Sequence, residues 1–235
     1  MTETAKTSKK LRVVLVDDHA VVREGYRRLL ERTSDIQVVA EAANGEDAYR
    51  LICDEQPDVA VLDISLPGLG GIEVTRRVIS RLPEQKILMF SMHEDTVFSS
   101  RALQAGARGY VTKSAAPEVL IEAVRLVAAG KLYISQEMAQ ELAIQMIPGR
   151  EKPIDALSAR EFEVFRLLVA GHTLQEISEI MHLSYKTVAN YQSSIRQKLD
   201  VTNTAQVVRV ALNHGLVANI SNEDGASLVT DQAGE

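Results

Sequence analysis

The chain has no tryptophan, and aromatic residues make up only 4% of its 235 positions. That argues against an aromatic cage for a flat or cationic ligand. It has one cysteine, Cys53, so no intramolecular disulfide or cysteine-based zinc site can form. Cys53 reads as a helix residue without special chemistry, because a reactive thiol needs an activating neighbourhood. No apolar run approaches the ~18 residues that a membrane helix requires. The first ten residues are polar and then basic, and the apolar run 11–16 is short and ends on Asp17 and Asp18. No secretory signal is expected from that pattern, and the expected location is the cytoplasm. Positive charge is also lacking: the net charge is −6. Residues 1–140 carry 18 Lys+Arg against 20 Asp+Glu, and residues 155–217 carry 6 of each. A nucleic-acid role must therefore rest on motif and charge placement, not on bulk basicity.

What is present is ordinary for a globular chain: 46% hydrophobic and 25% charged residues. The length allows one or two domains at ~100–200 residues each. Two regimes follow one another. From residue 11 to about 130, β-branched runs at 11–16, 36–42, 59–63, 86–91 and 108–112 alternate with helical patterns at 21–32, 46–55, 71–81, 96–105 and 117–129. Five strands alternating with five helices predict a doubly wound parallel sheet, and runs such as VVLV and VAVLD suit strands covered on both faces. A helical stretch at 136–146 precedes a segment, 147–156, that holds Pro148, Gly149 and Pro153 and reads as a linker. From 157 the pattern is all-helical, with capping boxes at Ser158/Glu161 and Thr173/Glu176 and a terminating Gly171. The resulting division is 11–130, a helical linker 131–156, a helical domain 157–217, and a polar tail 218–235 expected to be disordered.

In an open parallel sheet, functional groups gather at the carboxyl ends of the strands. There the sequence sets Asp17 and Asp18 after the first strand, Asp63 after the third, Ser91 at the end of the fourth and Lys113 after the fifth. Taken singly, each has a plain explanation: an Asp pair can cap a helix, Asp63 can serve the turn before Pro67, and Lys113 can be a solvated surface residue. Together they form a phosphoryl-transfer set. Clustered carboxylates repel one another unless a divalent cation joins them, and oxygen-only ligands suit Mg²⁺. One carboxylate can then act as nucleophile toward phosphorus, while a lysine and a hydroxyl offset the charge on the transferring group. His19 lies beside the acids and reads as a loop or cap residue.

The segments VLVDDHAVVREG, VLDISLPGLGGIE and GARGYVTKSAAPE resemble the receiver domain of bacterial response regulators over about residues 11–130. The resemblance implies that Asp63 is the phosphoacceptor. It implies that Asp17, Asp18 and Asp63 hold Mg²⁺ with the backbone carbonyl of Ser65, Asp18 being the more direct ligand of the Asp pair. It further implies that Ser91 and Lys113 bind the phosphoryl group, and that Tyr110 is a rotating switch aromatic, compatible with a half-buried place in the sheet.

In the second region, a helix at 173–181, a short turn and a long helix at about 185–199 have the layout of a helix-turn-helix. Ile177, Leu183, Val188 and Ile195 have the spacing of a shared core; opposite them lie Lys186, Thr187, Asn190, Ser193 and Arg196. A purely structural four-helix module has the same amphipathic pattern, so the pattern alone leaves both readings open. The run LSAREFEVFRLLVAGHTLQEISEIMHLSYKTVANYQSSIRQKLDV resembles the output domain of the NarL/FixJ (LuxR-type) regulators over about 155–217. That resemblance implies that Ala189, Asn190 and Ser193 face base edges, and that Lys186, Thr187, Arg196 and Lys198 face the DNA backbone. It also makes 204–213 the dimerisation helix. Two departures stand out. Ala189, Asn190, Gln192 and Ser193 occupy positions where many relatives are more basic, which favours dependence on dimerisation, and Phe162 stands where relatives carry a polar residue. Within the family, AGKLYISQEMAQELA and LSYKTVANY resemble the GacA/UvrY branch.

The expected protein is thus a five-stranded α/β receiver joined to a tetrahelical helix-turn-helix. Its expected partners are a sensor histidine kinase, a palindromic double-stranded DNA site and a second copy of itself on activation. Two rivals remain. A phosphohydrolase of the haloacid dehalogenase type also uses a strand-end aspartate, but it needs a second acid at position 65, which is Ser65. A DNA-binding protein whose receiver works without phosphate is opposed only by the completeness of the acidic set.

Overall fold

The computed structural model describes residues 10–94, 96–145 and 153–213. Two compact units are present, one spanning Met1–Pro148 and the other Gly149–Glu235. In the first, β1 (Leu11–Val16), β2 (Ile36–Ala42), β3 (Val59–Leu62), β4 (Ile87–Ser91) and β5 (Gly109–Thr112) alternate with α1 (Ala20–Glu31), α2 (Gly45–Glu55), α3 (Gly71–Arg81), α4 (Thr96–Gln104) and α5 (Pro117–Ala128). The strands are parallel in the order β2-β1-β3-β4-β5, as the alternation predicts. The strand runs are short and rich in Val, Ile and Leu because they are covered on both faces: all four residues of β3 and all five of β4 are buried. Val13, Leu15, Val61, Leu88, Val111 and Val124 belong to one core cluster. The Asn44 side chain caps α2 by accepting from Asp47 N, and Pro117 opens α5, where a missing N–H costs nothing.

Two glycines in this unit are there because backbone passes close by. A Cβ on Gly71 would lie 1.9 Å from the Asp63 carbonyl oxygen, and one on Gly45 would lie 1.6 Å from the Leu69 carbonyl oxygen. These contacts seat the β3–α3 loop, and with it Asp63, against the starts of α2 and α3.

The stretch read as a helical linker over 131–156 is divided. Helix α6 (Gln136–Gln145) packs on α4 within the first unit, with Met138 buried, and Pro153–Ala156 forms a 3-10 turn in the second unit. Residues 146–152 of that stretch lie outside the described residues, as does the tail 218–235.

The second unit comprises α7 (Ala159–Val169), α8 (Leu174–Ile180), α9 (Tyr185–Lys198) and α10 (Thr204–Asn213). Both capping boxes form. Gly171 ends α7 in the left-handed region at φ +94, with His172 N bonded to Leu167 O. Ile177, Val188 and Ile195 are fully buried, as their spacing predicts, while Leu183 is half-buried. Phe162 has become a core residue stacked on Phe165, which accounts for an apolar side chain at that position. No helix among the described residues is long and apolar enough to cross a membrane.

Candidate functional site

Strand order reverses between β1 and β3, and the crevice at such a switch point opens at the carboxyl ends of the strands. Asp17 follows β1 and Asp63 follows β3, and both are buried. Lys113, just beyond β5, crosses the crevice. Its Nζ donates to Asp17 Oδ2 at 2.7 Å and to Asp63 Oδ2 at 2.5 Å. The lysine side chain is only 6% exposed, so an uncompensated charge there would be costly. Burial works to lower the Lys113 pKa, but the charges and hydrogen bonds of Asp63 and Asp17 outweigh it and hold the group above the ordinary lysine value. The ammonium also lies 5.9 Å from the Phe90 ring centroid, and Tyr26 of α1 packs edge-on against that ring.

The acids are held from several sides. Asp17 Oδ1 accepts from His19 N at 2.8 Å, and Arg23 Nη1 donates to the Asp17 carbonyl at 2.5 Å. Asp63 N donates to Val16 O, and Asp63 Oδ1 accepts from Ser65 N at 3.3 Å. Asp17, Asp18 and His19 each offer one ligand atom within 4.8 Å of the others, so the acid set is an acidic pocket able to hold a cation. His19 occupies the N-cap position of α1 without a side-chain cap bond; its Nδ1 instead lies 2.8 Å from Asp18 Oδ1. Apart from that ion-pair contact, Asp18 Oδ1 is a buried oxygen with no hydrogen-bond partner among the described residues. A buried carboxylate oxygen left this way fits a hard cation that takes oxygen ligands.

Ser91 is fully buried, and its Oγ accepts from His93 N at 3.3 Å. Its carbonyl accepts from Lys113 N at 2.8 Å, so serine and lysine are tied through the β4–β5 edge. Tyr110 is 1% exposed, more deeply set than a half-buried sheet residue, and its hydroxyl donates to the His93 carbonyl at 2.7 Å. The hydroxyl of Ser65 lies 2.9 Å from His93 Nε2. The first unit thus brings Asp17, Asp18, Asp63, Ser91 and Lys113 to one end of the sheet. His93, Arg23 and Phe90 were not visible as site residues from strand-end placement, since two lie off the strand ends and the third is an ordinary core residue by type.

In the second unit, α9 follows α8 through a turn in which His182 is left-handed at φ 52. Lys186, Asn190 and Ser193 are exposed at i, i+4 and i+7 and share one helix face; Ala189 is half-buried beside them. The remaining candidates are held by protein partners. The Thr187 hydroxyl pairs with the capping Ser184 at 2.7 Å. Arg196 reaches Thr204 at 3.5 Å while its Nε is buried without a hydrogen-bond partner. Lys198 donates to Glu161 Oε2 at 2.6 Å. Glu161 also accepts from Ser194 Oγ and Ser158 N, each at 2.5 Å. Burial opposes ionisation of Glu161, but the bonds from Lys198, Ser194 and Ser158 overcome it and lower its pKa to about 2.

Comparison with known proteins matches both units. Residues 13–125 match the response regulator receiver domain, and residues 155–211 match the luxR family of bacterial regulatory proteins. The chain is 38% identical over 208 residues to the response regulator UvrY of Escherichia coli K12, covering 88% of this chain and 95% of UvrY. It is 38% identical over 209 residues to the response regulator GacA of Pseudomonas aeruginosa, covering 88% and 98%. Among solved structures, RcsB of Salmonella enterica serovar Typhimurium, bound to promoter P1flhDC in the presence of phosphomimetic BeF3-, matches with a TM-score of 0.61 at 25% identity. That match covers 86% of this chain and 98% of RcsB.

Proposed function

The chain belongs to the response regulators that join a receiver domain to a LuxR-type DNA-binding domain and regulate transcription, and from that premise we propose that Asp63 is its phosphoacceptor. The observation that carries this reading is the buried Lys113 ammonium shared by Asp17 and Asp63. The reaction takes a phosphoryl group from the phosphohistidine of a sensor kinase. A carboxylate oxygen of Asp63 forms a bond to phosphorus, the N–P bond breaks, and the imidazole leaves with the electron pair and gains a proton. Lys113 and the Ser91 hydroxyl receive the phosphoryl oxygens, and Lys113 lowers the repulsion between the incoming dianion and the two acids. Asp17, Asp18, Asp63 and the Ser65 carbonyl suit Mg²⁺, which when bound shields the acids and polarises the phosphoryl oxygens. Tyr110 is the switch aromatic. A small phosphodonor such as acetyl phosphate serves the same self-catalysed step.

In the output unit, Asn190, Ala189 and Ser193 read base edges, while Lys186 and Thr187 meet phosphates. Arg196 and Lys198 were expected to meet phosphates as well. Their contacts to Thr204 and Glu161 favour a buttressing role for Lys198 and a mixed one for Arg196. The active form is a homodimer on a palindromic site, with α10 as the dimer helix; the promoter-bound RcsB structure supports the DNA-binding part of this reading. Phosphorylation favours the dimer because a recognition helix short of cations grips DNA weakly alone, and two linked copies bind with a much higher effective concentration. The division into receiver 11–130, linker 131–156, output domain 157–217 and tail 218–235, and a cytoplasmic location, go with this function. The test is to map acid-labile phosphate after exposure to acetyl phosphate and Mg²⁺. Label at Asp63, with tighter binding to promoter DNA, is the expected result; label elsewhere overturns the assignment.

A further inference from the structure

Between β4 and α4, His93 brings together contacts to Ser65, Ser91, Tyr110 and Phe98. Its Nε2 lies 2.9 Å from the Ser65 hydroxyl, two residues beyond Asp63. Its backbone N donates to Ser91 Oγ at 3.3 Å. Its carbonyl accepts from the Tyr110 hydroxyl at 2.7 Å. Its ring stacks on Phe98 of α4, with centroids 4.1 Å apart and planes within 12°. His93 is 7% exposed and Phe98 is 2% exposed, whereas the neighbouring Met92 is 60% exposed. The loop therefore turns its histidine inward and leaves its apolar methionine in water, the reverse of what side-chain polarity alone favours.

The physical consequence is a connected path. A buried imidazole that keeps a ring-nitrogen hydrogen bond avoids the desolvation cost of an unpaired polar group, so the Ser65 contact fixes the ring. The fixed ring, clamped on its other side by Phe98, sets the orientation of the 93 peptide. The carbonyl of residue 93 holds Tyr110 inward, and its N–H, in the preceding peptide unit, orients the Ser91 hydroxyl. Ser65 follows Asp63 closely, and its own N–H donates to Asp63 Oδ1. A displacement of the Asp63 loop thus has a contiguous route, through packed and hydrogen-bonded groups, to Tyr110 and to α4.

We propose that His93 is a positioning residue that ties the loop after Asp63 to the inward rotamer of Tyr110 and to α4, through its side-chain contacts with Ser65 and Phe98. The proposal rests on the reading of Asp63 as phosphoacceptor only for the trigger; the tie itself is a property of the loop.

The experiment uses the full chain labelled with 3-fluorotyrosine, with the Tyr110 fluorine resonance assigned by its loss in Tyr110→Phe. Spectra are taken before and after beryllofluoride with Mg²⁺. His93→Phe keeps a ring against Phe98 but cannot bond to Ser65. It is expected to lose most of the beryllofluoride-induced shift at Tyr110 while still taking acid-labile label from acetyl phosphate. Ser65→Ala is expected to lose the same part of the shift, and the double variant no more than either single one, because both cut one connection. His93→Gln, which can still reach Ser65, is expected to recover part of it. A merely structural role gives additive losses and no recovery with Gln. An unchanged Tyr110 response in His93→Phe, or additive effects of the two substitutions, overturns the proposal. If the wild-type chain takes no acid-labile label, the reading of Asp63 has failed. The tie is then judged on the untreated spectra, where His93→Phe and Ser65→Ala must still move the Tyr110 resonance non-additively.

Discussion

Lys198, at the end of α9, places its Nζ 2.6 Å from Oε2 of Glu161, in the first turn of α7. The contact fastens the recognition helix to the helix that opens the domain, and Ser194 strengthens it from the next turn back. The Glu161 pKa of about 2 lies below its ordinary 4.5, so its ionised form stabilises the fold. That contribution is fully present above pH 4.5 and is lost as pH falls toward 2, with an upper bound of about 3 kcal/mol from the linkage relation. Acid titration of the output domain by circular dichroism should show Glu161→Gln less stable than wild type at pH 7 and the difference closing in that window. Lys198→Met should lower stability while leaving the salt dependence of DNA binding unchanged. A reduced salt slope in Lys198→Met returns that lysine to the DNA face.

Asp63→Asn should take no acid-labile phosphate from acetyl phosphate or from a kinase, because an amide is not a competent nucleophile. The variant keeps the size of the side chain, so its thermal midpoint tests whether the loss is chemical. Label at the wild-type level on a folded Asp63→Asn chain removes Asp63 from its role.

Removing Mg²⁺ with a chelator should stop labelling of the wild-type chain, since the acids repel a phosphoryl dianion without a shielding cation. Asp18→Asn should raise the Mg²⁺ concentration needed for half-maximal labelling, because the variant loses a carboxylate charge from the acidic group of Asp17, Asp18 and His19. Labelling rates measured across a Mg²⁺ series decide this, and a rate indifferent to Mg²⁺ refutes it.

Asn190→Ala should cost roughly 1–3 kcal/mol on the specific DNA site and little on random DNA. Lys186→Ala should weaken binding to all sequences and reduce the salt slope by about one unit. Mobility-shift titrations at several salt concentrations separate the two, and equal losses on both DNAs for both variants contradict the division of labour.

Gly71→Ala should destabilise the receiver by ~1–3 kcal/mol, the usual cost of overpacking. Its Cβ would sit 1.9 Å from the Asp63 carbonyl oxygen, so the loop must move. The labelling rate should fall further than the stability loss accounts for, because Asp63 moves with the loop. A variant as stable and as readily labelled as wild type shows that the loop yields without cost.

What the sequence determined by itself is what depends on local order along the chain. The β-branched runs and helical periods specified the five strands and their helices, because burial on both faces selects residue type at each position. The capping boxes at Ser158 and Thr173 and the glycine at 171 specified where helices start and stop, because those signals act over three or four residues. Strand-end placement marked Asp17, Asp63, Ser91 and Lys113 as one set, since a parallel sheet brings all its carboxyl ends to one side. The tertiary structure alone decided which atoms of that set meet: that Lys113 spans Asp17 and Asp63, that His19 turns to Asp18, and that α6 packs on α4. It also decided the fates of residues whose type carries no signal. Lys198 is by composition a plausible phosphate contact, and in the structure its ammonium meets Glu161, 37 residues earlier. His93 lies within a loop that has no period to read, and its contacts come from the β3–α3 loop, β5 and α4. Such pairings join residues far apart in sequence, so they are set only once the sheet and bundle have brought the elements together.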